Sequence, residues 1–379
     1  MENKKSNDRI IIINHEKCKP KTPVFDYLLA RSKTCSKGCI SRDGKKIIVS
    51  EDACMICFNI AKRSPGNAVK VVKLPINLSE DPTHCYGTNS FKLHGLPSPP
   101  VNKVLGLLGI NGIGKSTALN ILSGRTIPNF GKYSVQISKK DIIKFYRGTE
   151  LQKYFTKLYK NMTISIKTQD LKKYRVNKMV KDVIKPSDIT MRLELDKLMN
   201  NNIKKLSGGE LQRLAIAITA SKKADAYFFD EPTSYLDFKQ RLIVTDIIRS
   251  LLPKYVVVIE HDLSILDYIS DNIQIIYGKP GVYGVVTKKT MPSNGINQFM
   301  AGYIINDNIR FRPYELSFKT NNATDIKMMV IDNRPFEIVI GADGYTKDDI
   351  EQSGVAKLTL RLNHEQEENI YSWLWRNAW

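Results

Sequence analysis

Apolar residues fall along this chain in short blocks separated by polar turns. Arg9–Asn14 carries the run Ile10 to Ile13, and Lys46–Ser50 and Ala68–Leu74 have a similar strand-length character. Residues 96–103, LPSPPVNK, mark a Pro-rich turn or linker, and a buried strand is predicted at Val104–Leu108. A glycine-rich turn and a helix over Ser116–Ser123 follow. Asp141–Tyr146 and Glu150–Tyr159 predict helices, the second with Leu151, Tyr154, Phe155 and Leu158 on one face. Residues 160–205 are polar and basic and predict no clear element. Beyond them the chain alternates. Helices are predicted at Gly208–Ala220, Asp237–Leu252 and Leu263–Ile269, and strands at Ala226–Phe229, Tyr255–Ile259, Ile273–Tyr277 and Val282–Val286. Such alternation implies an α/β fold with a parallel sheet.

The 379 residues suffice for one large domain with one or two small ones. No run approaches the ~20 apolar residues that span a bilayer. The Ile10–Ile13 block is too short for the core of an export signal, so a cytoplasmic protein is expected. Lys and Arg number 58 against 38 Asp and Glu, a net charge of +20. That excess favours a polyanionic partner: RNA, DNA or an anionic membrane surface. A chain rich in Lys, Ile and Asn because of an AT-rich genome would show the same excess with no such partner. Five of the six cysteines lie in the first sixty residues. Clustered cysteines in a chain that is not exported more often hold metal than disulfides.

Residues 109–117 read GINGIGKST, which fits G-x-x-x-x-G-K-[ST] with a strand before and a helix after. Glycine lets the backbone approach phosphate, so that Gly109, Asn111, Gly112 and Gly114 cradle it with the helix N-terminus. Lys115 supplies charge to the β and γ phosphates, and Ser116, followed by Thr117, offers a hydroxyl to Mg²⁺. A second block, AYFFDE at 226–231, ends an apolar strand in two carboxylates. Asp230 is placed to hold Mg²⁺ and Glu231 to polarise an attacking water.

The eight residues LSGGELQR, 206–213, are the signature of ATP-binding cassettes, and here the chain resembles that family. The resemblance implies that Ser207 and Gly209 contact a γ-phosphate held by an opposite cassette. It makes SYLD, 234–237, the D-loop with Asp237, His261 the switch histidine, and Gln169 the Q-loop glutamine beside Mg²⁺. NHEKCKP, THCYGTNSFKLHGLP, FYRGTELQKYFTKL and the residues around GINQFMAGY narrow it to the ribosome-recycling ATPases of subfamily E, over about residues 9–312. That family implies a ferredoxin-like iron–sulfur domain, two cassettes joined by hinges, and binding to the small ribosomal subunit and its rRNA. It places Tyr86 and Phe91 near the adenine, and a ribosome-touching insertion around Tyr146–Tyr159. The expected organisation is a ferredoxin-like α+β domain at 1–73, a P-loop cassette at 74–278, a hinge at 279–315, and at 316–379 the start of a second cassette with an aromatic tail.

Two departures stand out. The family carries two cysteine quartets, each able to hold a [4Fe–4S] cluster. Here Cys18, Cys54 and Cys57 match, but the next two ligands fall on Ile60 and Ser64. Cys35, Cys39, Cys54 and Cys57 could instead hold one Zn²⁺ or one cluster, or the domain holds no metal. A metal-free domain needs a core, and this segment has few large apolar residues. Second, no other P-loop appears before Trp379. Because cassettes close ATP between two copies, a lone one implies a homodimer, a second cassette in trans, or weak turnover. The leading reading is a Mg-ATP hydrolase of ribosome recycling. A catalytically weak ATP- and ribosome-binding module is the alternative, and a transporter subunit is disfavoured by the subfamily motifs.

Overall fold

The computed structural model describes residues 9–33, 38–50, 55–73, 82–132, 135–316, 329–331, 334–339 and 356–359. The chain divides into two compact units, Met1–Pro292 and Ser293–Trp379.

The first unit opens with a small α+β arrangement: β1 (Arg9–Ile13), α1 (Pro23–Ser32), β2 (Ile40–Asp43), β3 (Lys46–Val49), α2 (Met55–Lys62) and β4 (Val69–Lys73). Strands β1 and β4 pair antiparallel, and β2 and β3 form a hairpin. Helix α1, not anticipated from the sequence, starts where Thr22 accepts a bond from the Phe25 N–H and Pro23 presets the first turn. It buries Val24, Phe25 and Leu28. These pack with Ile11, Ile13, Ile40, Ile47, Val49, Val69, Cys18 and Cys39. A core therefore exists where the sequence promised little. It is assembled from one to three residues of each of six elements, so no stretch of sequence displays it.

The central sheet has eight strands: β5 (His84–Cys85), β6 (Lys92–His94), β7 (Val104–Leu108), β8 (Ile164–Lys167), β9 (Ala226–Asp230), β10 (Tyr255–Ile259), β11 (Asn272–Lys279) and β12 (Tyr283–Val286). Their order is β5-β6-β12-β11-β7-β10-β9-β8. From β11 to β8 every pair is parallel, as predicted. Alternate strand residues feed two apolar layers. Tyr227, Phe229, Val256 and Val258 face one, with Leu211, Leu214 and Ile248. Phe228, Val257, Ile259 and Leu107 face the other, with Ile121, Tyr154 and Phe155. Burial on both faces is why these strands read as unbroken apolar runs.

Helices α3 (Lys115–Leu122), α4 (Lys139–Phe145), α5 (Glu150–Asn161), α6 (Asp188–Arg192), α7 (Gly208–Ala220), α8 (Phe238–Arg249) and α9 (Leu263–Ile269) complete this unit. Helix α8 is shorter than the predicted Asp237–Leu252: Asp237 caps it from outside, accepting the Gln240 N–H at 2.8 Å, and Ser250 ends it as the C-cap. The stretch 160–205 proves to hold β8, α6 and several 3₁₀ turns of three or four residues, too short to show a period. The expected border at 278/279 is corrected. It cuts the β11–β12 hairpin, and β12 also pairs with β6, so the sheet runs on to Val286.

One buried residue joins the small N-terminal arrangement to the sheet. Asn89, with φ +57°, is fully enclosed. Its side-chain amide donates to Ile11 O and Val49 O and accepts the Val49 N–H, all at 2.9 Å. Ile12 and Val72 meanwhile pack on Val282 and Tyr283 of the sheet.

The second unit contains most of α10 (Pro292–Ala301), the short pair β13 (Tyr303–Ile304) and β14 (Ile309–Arg310), and a sheet of β15 (Met329–Ile331), β16 (Arg334–Val339) and β17 (Ala356–Thr359). Strand β16 falls at the start of FEIVIGADGYTKDDI, where opening strands of a second cassette are expected. The aromatic tail of that reading, YSWLWRNAW, lies outside the described residues.

Tyr146, Phe155 and Tyr159 stack in turn, with Tyr154 edge-on to Phe155. Burial raises the phenols of Tyr146, Tyr154 and Tyr159 above the usual 10.0, Tyr159 to about 12. The unfolded chain releases these protons first, so their stabilisation is complete below about pH 10 and is lost as pH climbs toward the folded values. The urea midpoint should therefore fall steeply above about pH 10. Tyr154→Phe should flatten that fall while costing about 1 kcal/mol for its lost bond to Leu122 O. A flat alkaline limb in the unsubstituted protein would contradict this.

Candidate functional site

Parallel strands deliver their carboxyl ends to one edge of a sheet, and ligands bind there. Here β7 runs into Gly109, β8 into Gln169, β9 into Asp230 and Glu231, and β10 into Glu260 and His261.

After β7 the chain makes a tight loop with Gly112 at φ +72° and Gly114 at φ +105°, then enters α3. At Gly114 a Cβ would lie 2.7 Å from the Phe91 ring, and at Gly109 it would lie 2.6 Å from Ile276 O. Asn111, Gly112 and Ser116 are exposed, while Thr117 is buried. The Lys115 ammonium turns back onto the loop, donating to Gly109 O at 2.6 Å and Ile110 O at 3.1 Å, with Asn111 Oδ1 at 3.4 Å. Burial lowers Lys115 to about 8, opposed by Asp230 and Glu231. A bound polyphosphate would take over those donors and favour the charged form.

Burial, with the neighbouring Glu231 charge, lifts Asp230 to about 6, although Lys167, Lys115 and His261 oppose the rise. A half-buried carboxylate with a like charge beside it suits a divalent cation, which relieves both penalties. Asp230, Ser116 and Gln169 are the residues that would hold Mg²⁺. Glu231 is held below the usual carboxylate range, first by its bond to His261 and also by Gln169. Its Oε1 lies 3.3 Å from His261 Nε2 and accepts Gln169 Nε2 at 2.7 Å. Gln169, Glu231 and His261, far apart in sequence, thus meet at one carboxylate. It stays ionised at neutral pH, as an acceptor for a water proton must.

Tyr86 is 57% exposed and its hydroxyl lies 3.0 Å from Thr117 Oγ1, beside the loop. Phe91 instead packs beneath Gly114, among the partly buried residues of the sheet's core. It shapes the loop from below, so the pair does not form one exposed aromatic face. Ser207 caps α7 through a capping box, exchanging bonds with Glu210, and is exposed. At Gly209 a Cβ would approach Tyr235 O to 3.0 Å, so the signature and the D-loop pack closely. Asp237 caps α8, accepting the Gln240 N–H at 2.8 Å, and is exposed.

A family model described as ABC transporter matches residues 100–234. The translation initiation factor RLI1 of Saccharomyces cerevisiae is 43% identical over 344 residues, 84% of this chain and 56% of that protein. ABC transporter E family member 3 of Arabidopsis thaliana is 33% identical over 164 residues, 40% of this chain and 79% of that protein. A solved structure titled as a model of ribosome-bound archaeal Pelota and ABCE1 aligns with TM-score 0.74 and 37% identity, over 87% of this chain and 60% of that one. This chain belongs to the ABC E family. It spans about half the length of the curated relatives it matches.

Iron–sulfur ligation, implied by the E-family resemblance, meets a poor fit among the described residues. Cys18 and Cys39 are buried in the apolar core of the N-terminal arrangement, and burial pushes the Cys18 thiol up. Ile60, where a ligand was expected, packs against that core. No group of three or more His, Cys, Asp or Glu side chains suited to a metal occurs among the described residues. Cys35, Cys54 and the side chain of Cys57 lie outside them.

Sequence reasoning missed three residues of this E-family site. Lys167 is a buried cation on β8, in the stretch that predicted nothing. Gln212 lies inside LSGGELQR on the buried face of α7, where a polar side chain between Leu211 and Leu214 is the signal. Glu260 is buried and accepts both the N–H and the hydroxyl of Thr233, bracing the turn after Glu231.

Gly114→Ala adds a methyl at a left-handed position against Phe91 and Leu93. It should weaken Mg-ATP binding about tenfold or more, roughly 1.4 kcal/mol, in titration calorimetry. Unchanged affinity would show that the loop does not hold the phosphates.

Proposed function

We propose that the chain binds Mg-ATP along residues 109–117 and hydrolyses it when a second cassette closes over the site. Lys115 and the loop N–H groups hold the phosphates, Glu231 orients and deprotonates water, and His261 stabilises the γ-phosphate. Mg²⁺, when bound, neutralises the phosphate oxygens. One observation carries the reading: Gln169 and His261 converge on an ionised Glu231 at the sheet edge where the loop ends. The catalytically weak alternative is disfavoured because no member of this set is lost.

Closure needs a partner surface. Ser207 is exposed, as are Tyr235, whose ring lies against Gly208, and Phe238 at the start of α8, at 75% and 72%. Such aromatics suit burial against a second cassette, either another copy or one in trans. The work done by closure is, in this reading, separation of ribosomal subunits from a seat on the small subunit. Net charge of +20 supports contact with rRNA, and so do the exposed Lys140, Lys144, Arg147, Lys153, Lys157 and Lys160 of the α4–α5 region. One similar structure is ribosome-bound by its title. No helix among the described residues is long and apolar enough to cross a membrane.

Glu231→Gln should trap ATP between two cassettes. Light scattering of that variant should show a dimer with Mg-ATP and a monomer with ADP. A monomer in both would sink the homodimer and leave only a cassette in trans.

For the N-terminal arrangement we infer a fold carried by its apolar core. Elemental analysis of chain purified anaerobically with iron and zinc supplied should find neither at stoichiometric level. One equivalent of zinc, or four of iron with sulfide, would instead assign Cys35, Cys39, Cys54 and Cys57 as ligands.

A further inference from the structure

Glu231 is a non-glycine residue at φ +49°. Left-handed backbone at such a residue persists only where its surroundings hold it. Two buried side chains do so. Lys167 Nζ donates to Asp230 O and Glu231 O, both at 2.8 Å. Gln212 Nε2 donates to Glu231 O and Pro232 O, both at 2.7 Å. Three successive carbonyls are thus gripped from two sides, one side chain coming from β8 and the other from α7.

Neither residue is explained by packing. Lys167 is 1% exposed and Gln212 fully enclosed. Burying an ammonium is costly, and burial does lower Lys167, to about 8. The nearby charges of Asp230, Glu231 and Glu260 offset that cost. Gln212 Oε1 is buried without a hydrogen-bond partner. A leucine or methionine would fill the space with no unpaired oxygen, so the donors are the reason for the amide. Its helix is capped by Ser207, the exposed signature residue.

We propose that Lys167 and Gln212 are positioning residues for Glu231: together they set its backbone, and Gln212 makes the signature helix and the water-activating carboxylate move as one body. Engagement of Ser207 by the second nucleotide would then reach Glu231 through one helical turn and one amide. Hydrolysis is tied to closure because the carboxylate is aligned only when α7 is seated.

This rests on the ATPase reading. The test compares steady-state hydrolysis and Mg-ATP binding in full-length Lys167→Met, Gln212→Leu and Lys167→Arg proteins. In Met and Leu variants that show a cooperative melt, kcat should fall about 10- to 100-fold, with nucleotide affinity within about threefold of the parent. Lys167→Arg, which keeps the donors, should recover most of the rate. A folded Met or Leu variant with parental kcat would overturn the proposal, as would affinity falling in step with kcat. If Lys167→Met does not fold, Gln212→Leu decides alone, since it leaves the cation in place. If neither folds, hydrogen exchange of the parent decides. Mg-ATP should protect residues 208–214 and 229–233 together, and protection of one without the other would refute the link. A parent no faster than its Glu231→Gln variant would instead defeat the ATPase reading itself.

Discussion

Parallel pairing of β11, β7, β10, β9 and β8 is the constraint from which the nucleotide site follows. Strands running the same way must end on the same side. The phosphate loop, the carboxylate pair, the histidine turn and Gln169 share one edge because of that direction. Burial of both sheet faces holds the strands in register, since a slip of one residue would exchange the two apolar layers. The site needs no deep pocket of its own. It is a row of loop ends, completed by whatever closes over it.

Within that row, strain and charge are concentrated at one turn. Glu231 takes a left-handed backbone next to a half-buried Asp230, and three further side chains, Lys167, Gln212 and Glu260, fix the surrounding carbonyls and N–H groups. The clustering has a physical logic. On the proposed reading, a carboxylate that aims a water tolerates little displacement, and the Glu231 turn is held by bonds from β8, from α7 and from Glu260 just past β10. The glycines act likewise from below: Gly109 and Gly114 let β11 and Phe91 approach the loop closer than any side chain would allow.

The N-terminal arrangement shows a different economy. Its core draws Cys18 and Cys39 inward with isoleucines and valines, where they pack as part of the apolar cluster. Asn89 then ties this core to the segment bearing Tyr86 and Phe91. A change of packing in the small domain therefore bears on residues beside the phosphate loop.

Local chemistry decided what the sequence shows by itself. The glycine loop with its lysine, the LSGGELQR block, the paired carboxylates after an apolar strand and the later histidine each depend on neighbours in the chain, and they reveal the fold class and the nucleotide edge. Strands β7 and β10 and helices α7 and α9 were legible to the residue because apolar runs and glycine, serine or aspartate caps bound them. Tertiary structure alone decided the rest. Lys167 and Gln212 matter through carbonyls 63 and 19 residues away, the cysteine-bearing core is collected from six elements, and Phe91 turns under the loop beside an exposed Tyr86. Such roles arise from distances across the fold, which no local pattern of residues encodes.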